Sequence, residues 1–246
     1  MKARTGILGL VLAMFAAGPA FAGSTSFSFG FGGPDMALGT SQSYTSNGAT
    51  ITAYGYECSA ATPSSTDTLS NCGATELYQK METADETGLG LADENDHEIG
   101  WDGPDADFVI GLDVSALFKL GATSMTLSFG SVQPGEAYAI FGYDSNPFGS
   151  SFDLNGHLVN GQLVGNDGST NALVFSSTIG LNADDQFLVF TSPCSAQPGV
   201  TPPCGSNVLL GSATASTPEP GTLALFATGL LALGFGMRRR FAFQRQ

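Results

Sequence analysis

The sequence predicts an all-β fold, a single antiparallel β-sandwich of jelly-roll-like kind. Three observations predict it. Short runs of aromatic and β-branched residues recur along the chain, and several place apolar side chains at every second position. Clusters of Gly, Asn, Asp, Ser and Pro separate the runs, and no βαβ rhythm appears. The 33 glycines and the scarcity of Lys and Arg (8 in 246 residues) argue against long soluble helices.

The strand candidates, in order, are 27–31, 50–56, 107–114, 123–129, 137–143, 172–176, 186–191 and 207–211. The clearest is Ser124-Met125-Thr126-Leu127-Ser128-Phe129, where apolar and hydroxyl residues alternate strictly. Residues 115–120 suit one helical turn after a strand. Asp144-Ser145-Asn146-Pro147 and Gly165-Asn166-Asp167-Gly168-Ser169 are turns. Residues 58–75 and 193–206 read as long loops, and Gly88-Leu89-Gly90 as a turn. About eight strands over some 190 residues are enough for one core. The domain is expected to span 23–211, with the small polar stretch 212–217 as a structureless linker.

Both ends carry signals. Lys2 and Arg4 precede an apolar stretch over 7–17, and Ala20-Phe21-Ala22 forms an A-x-A site with cleavage before Gly23. Residues 1–22 are therefore a signal peptide, and the mature chain begins at Gly23. At the other end Thr217-Pro218-Glu219-Pro220-Gly221 precedes an apolar run of 15 residues, 223–237, followed by Arg238, Arg239 and Arg240. As a helix, that run reaches about 22 Å against a hydrocarbon core of about 30 Å. It is short for a permanent anchor but can insert as a transmembrane helix over 222–237, with the arginines held in the cytoplasm. The two prolines keep Pro218-Glu219-Pro220 extended on the outer side.

This tripeptide, apolar helix and arginine cluster, over 218–240, resemble the PEP-CTERM sorting signal of Gram-negative bacteria. Thr217 stands where Val often precedes the tripeptide. The resemblance implies processing by a membrane-embedded exosortase and an association with exopolysaccharide and biofilm matrix. It implies nothing about what the cargo does. The stretches 86–91, 96–100 and 108–113 also resemble part of other PEP-CTERM cargo proteins, which speaks to architecture alone.

Removing both ends leaves Lys80 and Lys119 against 21 acidic residues in 23–217, a formal charge of −19. So acidic a surface excludes nucleic acid and anionic lipid as partners, because both need basic patches. It suits cations, cation-bridged polysaccharide, or plain solubility. The four cysteines form two local pairs, Cys58 with Cys72 and Cys194 with Cys204. In an exported chain these are expected as disulfides, each bracketing a Pro/Ser/Thr/Gly-rich loop.

Eleven of the 21 acidic residues lie between Glu82 and Asp113. Asp93, Asn95, Asp96 and Glu98, with Asp102, Asp105 and Asp107, offer the hard oxygen ligands that Ca²⁺ needs, although the EF-hand template fails at Glu98. A solvated acidic loop is the alternative. No catalytic residues are expected. His97 and His157 are the only histidines, no G-x-S-x-G setting exists, and no Gly-rich loop cradles phosphate. Trp101 could stack on a sugar or pack in the core. The expected function is a non-catalytic exported protein, sorted by exosortase to the cell surface or polysaccharide matrix. A calcium-dependent carbohydrate-binding module is the alternative, and a secreted polysaccharide hydrolase a further one. Expected partners are the export machinery and exosortase, the inner membrane before processing, and extracellular polysaccharide.

Overall fold

The computed structural model describes residues 24–59, 70–94, 96–100, 107–132, 136–149, 151–152, 157–163, 173–191 and 207–217. One compact unit spans Ser26–Ser216. The second unit, made of the chain ends, falls outside the described residues except for 24, 25 and 217.

The strands follow in chain order. The first six are β1 (Ser26–Gly30), β2 (Met36–Gly39), β3 (Ser41–Ser46), β4 (Ala49–Ser59), β5 (Ser70–Thr75) and β6 (Leu77–Met81). Next come β7 (Thr87–Leu91), β8 (Ile99–Gly100), β9 (Asp107–Asp113), the short helix α1 (Ser115–Lys119), β10 (Ser124–Val132) and β11 (Ala137–Tyr143). The last five are β12 (Ser151–Phe152), β13 (His157–Leu163), β14 (Leu173–Gly180), β15 (Phe187–Thr191) and β16 (Asn207–Ser216).

These strands form two eight-stranded antiparallel sheets packed as a sandwich, so the predicted all-β class holds. The first sheet runs β14-β10-β16-β7-β6-β2, with β1 and β8 also on β16. Because β10 occupies one edge of β16, the strands β1, β7 and β8 share its other edge end to end. The second sheet runs β12-β5-β4-β9-β15-β11-β13, with β3 beside the first half of β4.

Alternation decides which side chains enter the core. On β10, Met125, Leu127 and Phe129 are buried between the sheets, while Ser124, Thr126 and Ser128 face outward. The Phe129 ring stacks on Tyr138 at 4.2 Å and meets Phe190 edge-on at 5.9 Å, which ties one sheet to the other. On β9 the apolar run is continuous because both faces are covered. Phe108, Ile110 and Leu112 join the main core. Val109 joins a second cluster, with Tyr56, Cys58, Cys72, Tyr143, Phe187 and Val189, on the other side of that sheet. Phe148 closes this cluster by stacking on Tyr54 at 4.8 Å, and the Tyr56 hydroxyl donates to the Gly149 carbonyl. Burial pushes the Tyr56 hydroxyl up to about 12.

Four sequence expectations are corrected. Residues 212–217 are not a structureless linker: Ser212–Ser216 ends β16, with Ala213 and Ala215 buried and the polar residues turned outward. The domain therefore runs to Ser216 rather than 211. Part of the loop expected at 58–75 is β5, held beside β4. The expected turn Gly88-Leu89-Gly90 lies inside β7, where Leu89 and Leu91 are fully buried. Gly90 is there for closeness: a Cβ would sit 2.0 Å from the His97 carbonyl oxygen. Finally, the eight expected strands become sixteen among the described residues. A hairpin signal went unread in Asn47-Gly48, whose positive φ angles (48° and 82°) make the two-residue turn between β3 and β4.

Cys58 and Cys72 are joined as expected, across β4 and β5. Cys194 and Cys204 lie outside the described residues. With the joined positions 14 apart in sequence, the chain-entropy account assigns the bridge about 3 kcal/mol. Reduction, or Cys58→Ser with Cys72→Ser, should lower the stability measured by denaturant titration by about 2–3 kcal/mol. An unchanged midpoint would show that the β4–β5 pairing holds this corner without the bridge.

Candidate functional site

Two places were marked by the sequence: the junction with the C-terminal signal, and the acidic segment. At the junction β1 and β16 pair from Ser26↔Ser216 to Gly30↔Ser212. The ladder continues one step further. The Thr217 N–H donates to the Thr25 carbonyl at 3.0 Å, and the Thr25 N–H donates to the Thr217 hydroxyl at 3.2 Å. Thr25 and Thr217, the residue before Pro218, are thus bonded neighbours. Ala20, Ala22, Gly23, Pro218, Glu219, Pro220 and Arg238 to Arg240 lie outside the described residues, as does the expected helix 222–237. Among the described residues no helix is long and apolar enough to cross a membrane.

In the acidic segment, the carboxylates of Asp93, Glu94, Asp96 and Glu98 have partners within the chain. Glu94 closes a tight turn: its Oε2 accepts from the Asp96 N–H (2.7 Å) and the Glu98 N–H (3.0 Å), and the His97 N–H donates to its carbonyl. That turn puts His97 at φ 60° with its ring stacked on Tyr78 at 4.0 Å. The Asp93 carboxylate accepts from the Thr75 hydroxyl, and Asp96 from the Asn207 amide. Asp107 is buried at the start of β9.

Glu98 is the most deeply placed of these groups. Its Oε1 accepts from Lys80 Nζ at 2.8 Å and from the Ser131 hydroxyl at 2.8 Å. The Lys80 and Glu98 side chains are 10% and 4% exposed. Burial raises the Glu98 carboxyl above its ordinary value, outweighing the hydrogen bonds from Lys80 and Ser131. Burial would lower Lys80, but its contact with Glu98 and the nearby charges of Glu98, Glu82 and Asp96 leave it raised. One of the two lysines of 23–217 is therefore spent inside the fold.

Asn95, Asp102, Asp105 and Trp101, the rest of the candidate calcium and sugar residues, lie outside the described residues. Among the described residues no three His, Cys, Asp or Glu side chains are grouped as a metal site. The structure brings Asp93, Asp96 and Glu98 into one turn but gives each a different partner. The role of Lys80 was missed, because Glu98 lies 18 positions away, and Ser131, which also donates to Glu98, a further 33 positions on, so sequence spacing carries no trace of the group.

Comparison with known proteins places one feature firmly. Residues 216–240 match the family described as the PEP-CTERM protein-sorting motif, starting at the last residue of β16. No curated protein matches the chain. Among solved structures it is similar to three cleaved adhesin domains of Lys-gingipain. The K1 domain from Porphyromonas gingivalis W83 has 10% identity over 79% of this chain and 99% of that one, with a TM-score of 0.35. The K2 domain has 12% identity over 78% and 99%, with a TM-score of 0.33. The K3 domain from Porphyromonas gingivalis w83 has 14% identity over 49% and 70%, with a TM-score of 0.32. At these scores the likeness adds nothing to the sandwich read from the strands.

Proposed function

We propose that this chain, which carries a PEP-CTERM sorting motif over residues 216–240, is an exported, non-catalytic protein that an exosortase processes for the cell surface or polysaccharide matrix. The sorting motif is the observation that carries the reading. In the precursor, the helix 222–237 inserts in the inner membrane with Arg238, Arg239 and Arg240 in the cytoplasm. Pro218-Glu219-Pro220 then stands outside as an extended ligand for the processing enzyme, one residue past the last bonded pair of the sandwich. The mature domain begins at Gly23 and keeps its −19 charge, which favours dispersal in water over adhesion to anionic surfaces. The reading needs no cation, since the described carboxylates around Glu98 already have partners within the chain.

Glu219→Ala tests it in a host that makes an exosortase. The wild-type protein should be recovered without its tail, and the variant should stay in the membrane fraction with residues 220–246 still attached by intact mass. Equal masses and equal distribution for the two would refute the sorting proposal.

A further inference from the structure

The outward face of the first sheet is a lattice of hydroxyl groups. Register fixes its rows across β14, β10, β16 and β1. The central row is Thr178, Thr126, Thr214 and Ser28. On one side lie Ser176, Ser128, Ser212 and Gly30. On the other lie Gly180, Ser124, Ser216 and Ser26. Ten of these twelve positions carry a hydroxyl and none carries a charge. Adjacent strands stand about 4.8 Å apart and alternate residues about 6.7 Å apart, so the lattice is regular in both directions.

The lattice cannot slip. The residues between these positions include Phe27, Phe29, Met125, Leu127, Ile179, Ala213 and Ala215, all buried in the core, and a one-residue shift would turn them to water. Ser26, Ser28, Ser176, Thr178, Thr214 and Ser216 are exposed, while Ser124, Thr126, Ser128 and Ser212 are half-buried. The Thr126 and Thr178 hydroxyls are hydrogen-bonded at 2.9 Å, so part of the array is already oriented.

Chemistry selects the occupant. These twelve positions offer no large apolar side chain to bury against a second copy of the chain or another protein. They include no cation to hold a uronate or a phosphate, and residues 23–217 carry −19, which repels anionic polymers. What remains is an uncharged polymer with hydroxyl groups at a short repeat. We propose that this face binds a neutral polysaccharide chain, with Thr126, Thr178 and Thr214 at its centre. Each contact is weak, and retention comes from many sites met by one polymer. The inference rests on the surface-matrix reading for its setting, and the lattice reaches Ser26 and Ser216, next to where the sorting segment departs.

The test uses the processed protein released from its host. It should be retarded in affinity electrophoresis by a neutral glucan, or sediment with cellulose or chitin, and it should ignore alginate. Thr126→Val with Thr178→Val and Thr214→Val keeps the β-branched shapes and removes three hydroxyls, and should weaken retention at least tenfold with an unchanged melting temperature. Thr214→Glu, which adds a charge at the centre without adding apolar surface, should do the same. Thr50→Val, on β4 of the other sheet, should bind as wild type. Retention by no neutral polymer, retention by alginate alone, or undiminished retention of both lattice variants would overturn the proposal. The Glu219→Ala protein separates the two readings: it should bind neutral polysaccharide normally although its tail remains.

Discussion

Replacing Lys80 with methionine should destabilise the domain by about 3–5 kcal/mol, because it leaves Glu98 as a buried carboxylate without its cation. The two side chains are nearly sealed from water, and the Ser131 hydroxyl alone cannot replace an ammonium at 2.8 Å. The double variant Lys80→Met with Glu98→Leu should recover to within about 1.5 kcal/mol of wild type, since an apolar pair of similar volume removes the need for compensation. Denaturant titration of the three proteins separates the terms. A loss below about 1 kcal/mol in the single variant would mean that water reaches Glu98.

The pH dependence follows from the same pair. Lys80 is raised above its ordinary 10.5 in the folded protein, so its stabilisation is complete below that value. It is lost as the pH climbs through the higher folded value. Glu98 is raised above its ordinary 4.5 because it is buried, so the folded state holds a proton more tightly than the unfolded chain does. Without Lys80 that preference should grow. The Lys80→Met protein should therefore become more stable as the pH is lowered from about 8 to about 5, and a flat profile would contradict the assignment.

Phe129→Ala should cost about 3–5 kcal/mol by a different route, the loss of buried ring surface and the cavity left behind. Phe129 is 0% exposed and lies between Tyr138 and Phe190, which belong to the opposite sheet. At about 2–4 °C per kcal/mol for a domain of this size, the melting temperature should fall by roughly 6–20 °C. Phe129→Leu should cost less than half as much, because most of the volume remains. Equal losses for both would place the energy in the stacking geometry with Tyr138 rather than in the volume filled.

How much was legible in the sequence depended on whether a segment forms its own pattern. Residues 124–129 alternate, and they became the first six residues of β10. The unbroken apolar run after Asp107 became β9, buried on both faces. Ser70–Thr75 and Ser212–Ser216 carry small polar residues that favour nothing in isolation, and each is a strand because neighbours offer a ladder on its edges. Glycine misled at β7: residues 88 and 90 looked like a turn, and in the fold they let other backbone approach. In the acidic segment the density of carboxylates does not say which one meets Lys80.

The sequence by itself determined the sorting segment and the charge: a PEP-CTERM motif and a net excess of acid are linear features, readable without knowing where any residue lies. It also determined that the chain would be a sandwich, because alternation is a local property of strands. Only the tertiary structure decided that Lys80, Glu98 and Ser131 form one buried group, and that Ser28, Thr126, Thr178 and Thr214 stand in one row. Those arrangements come from lateral register between strands distant in the chain, which the burial of the opposite face enforces and no single segment encodes.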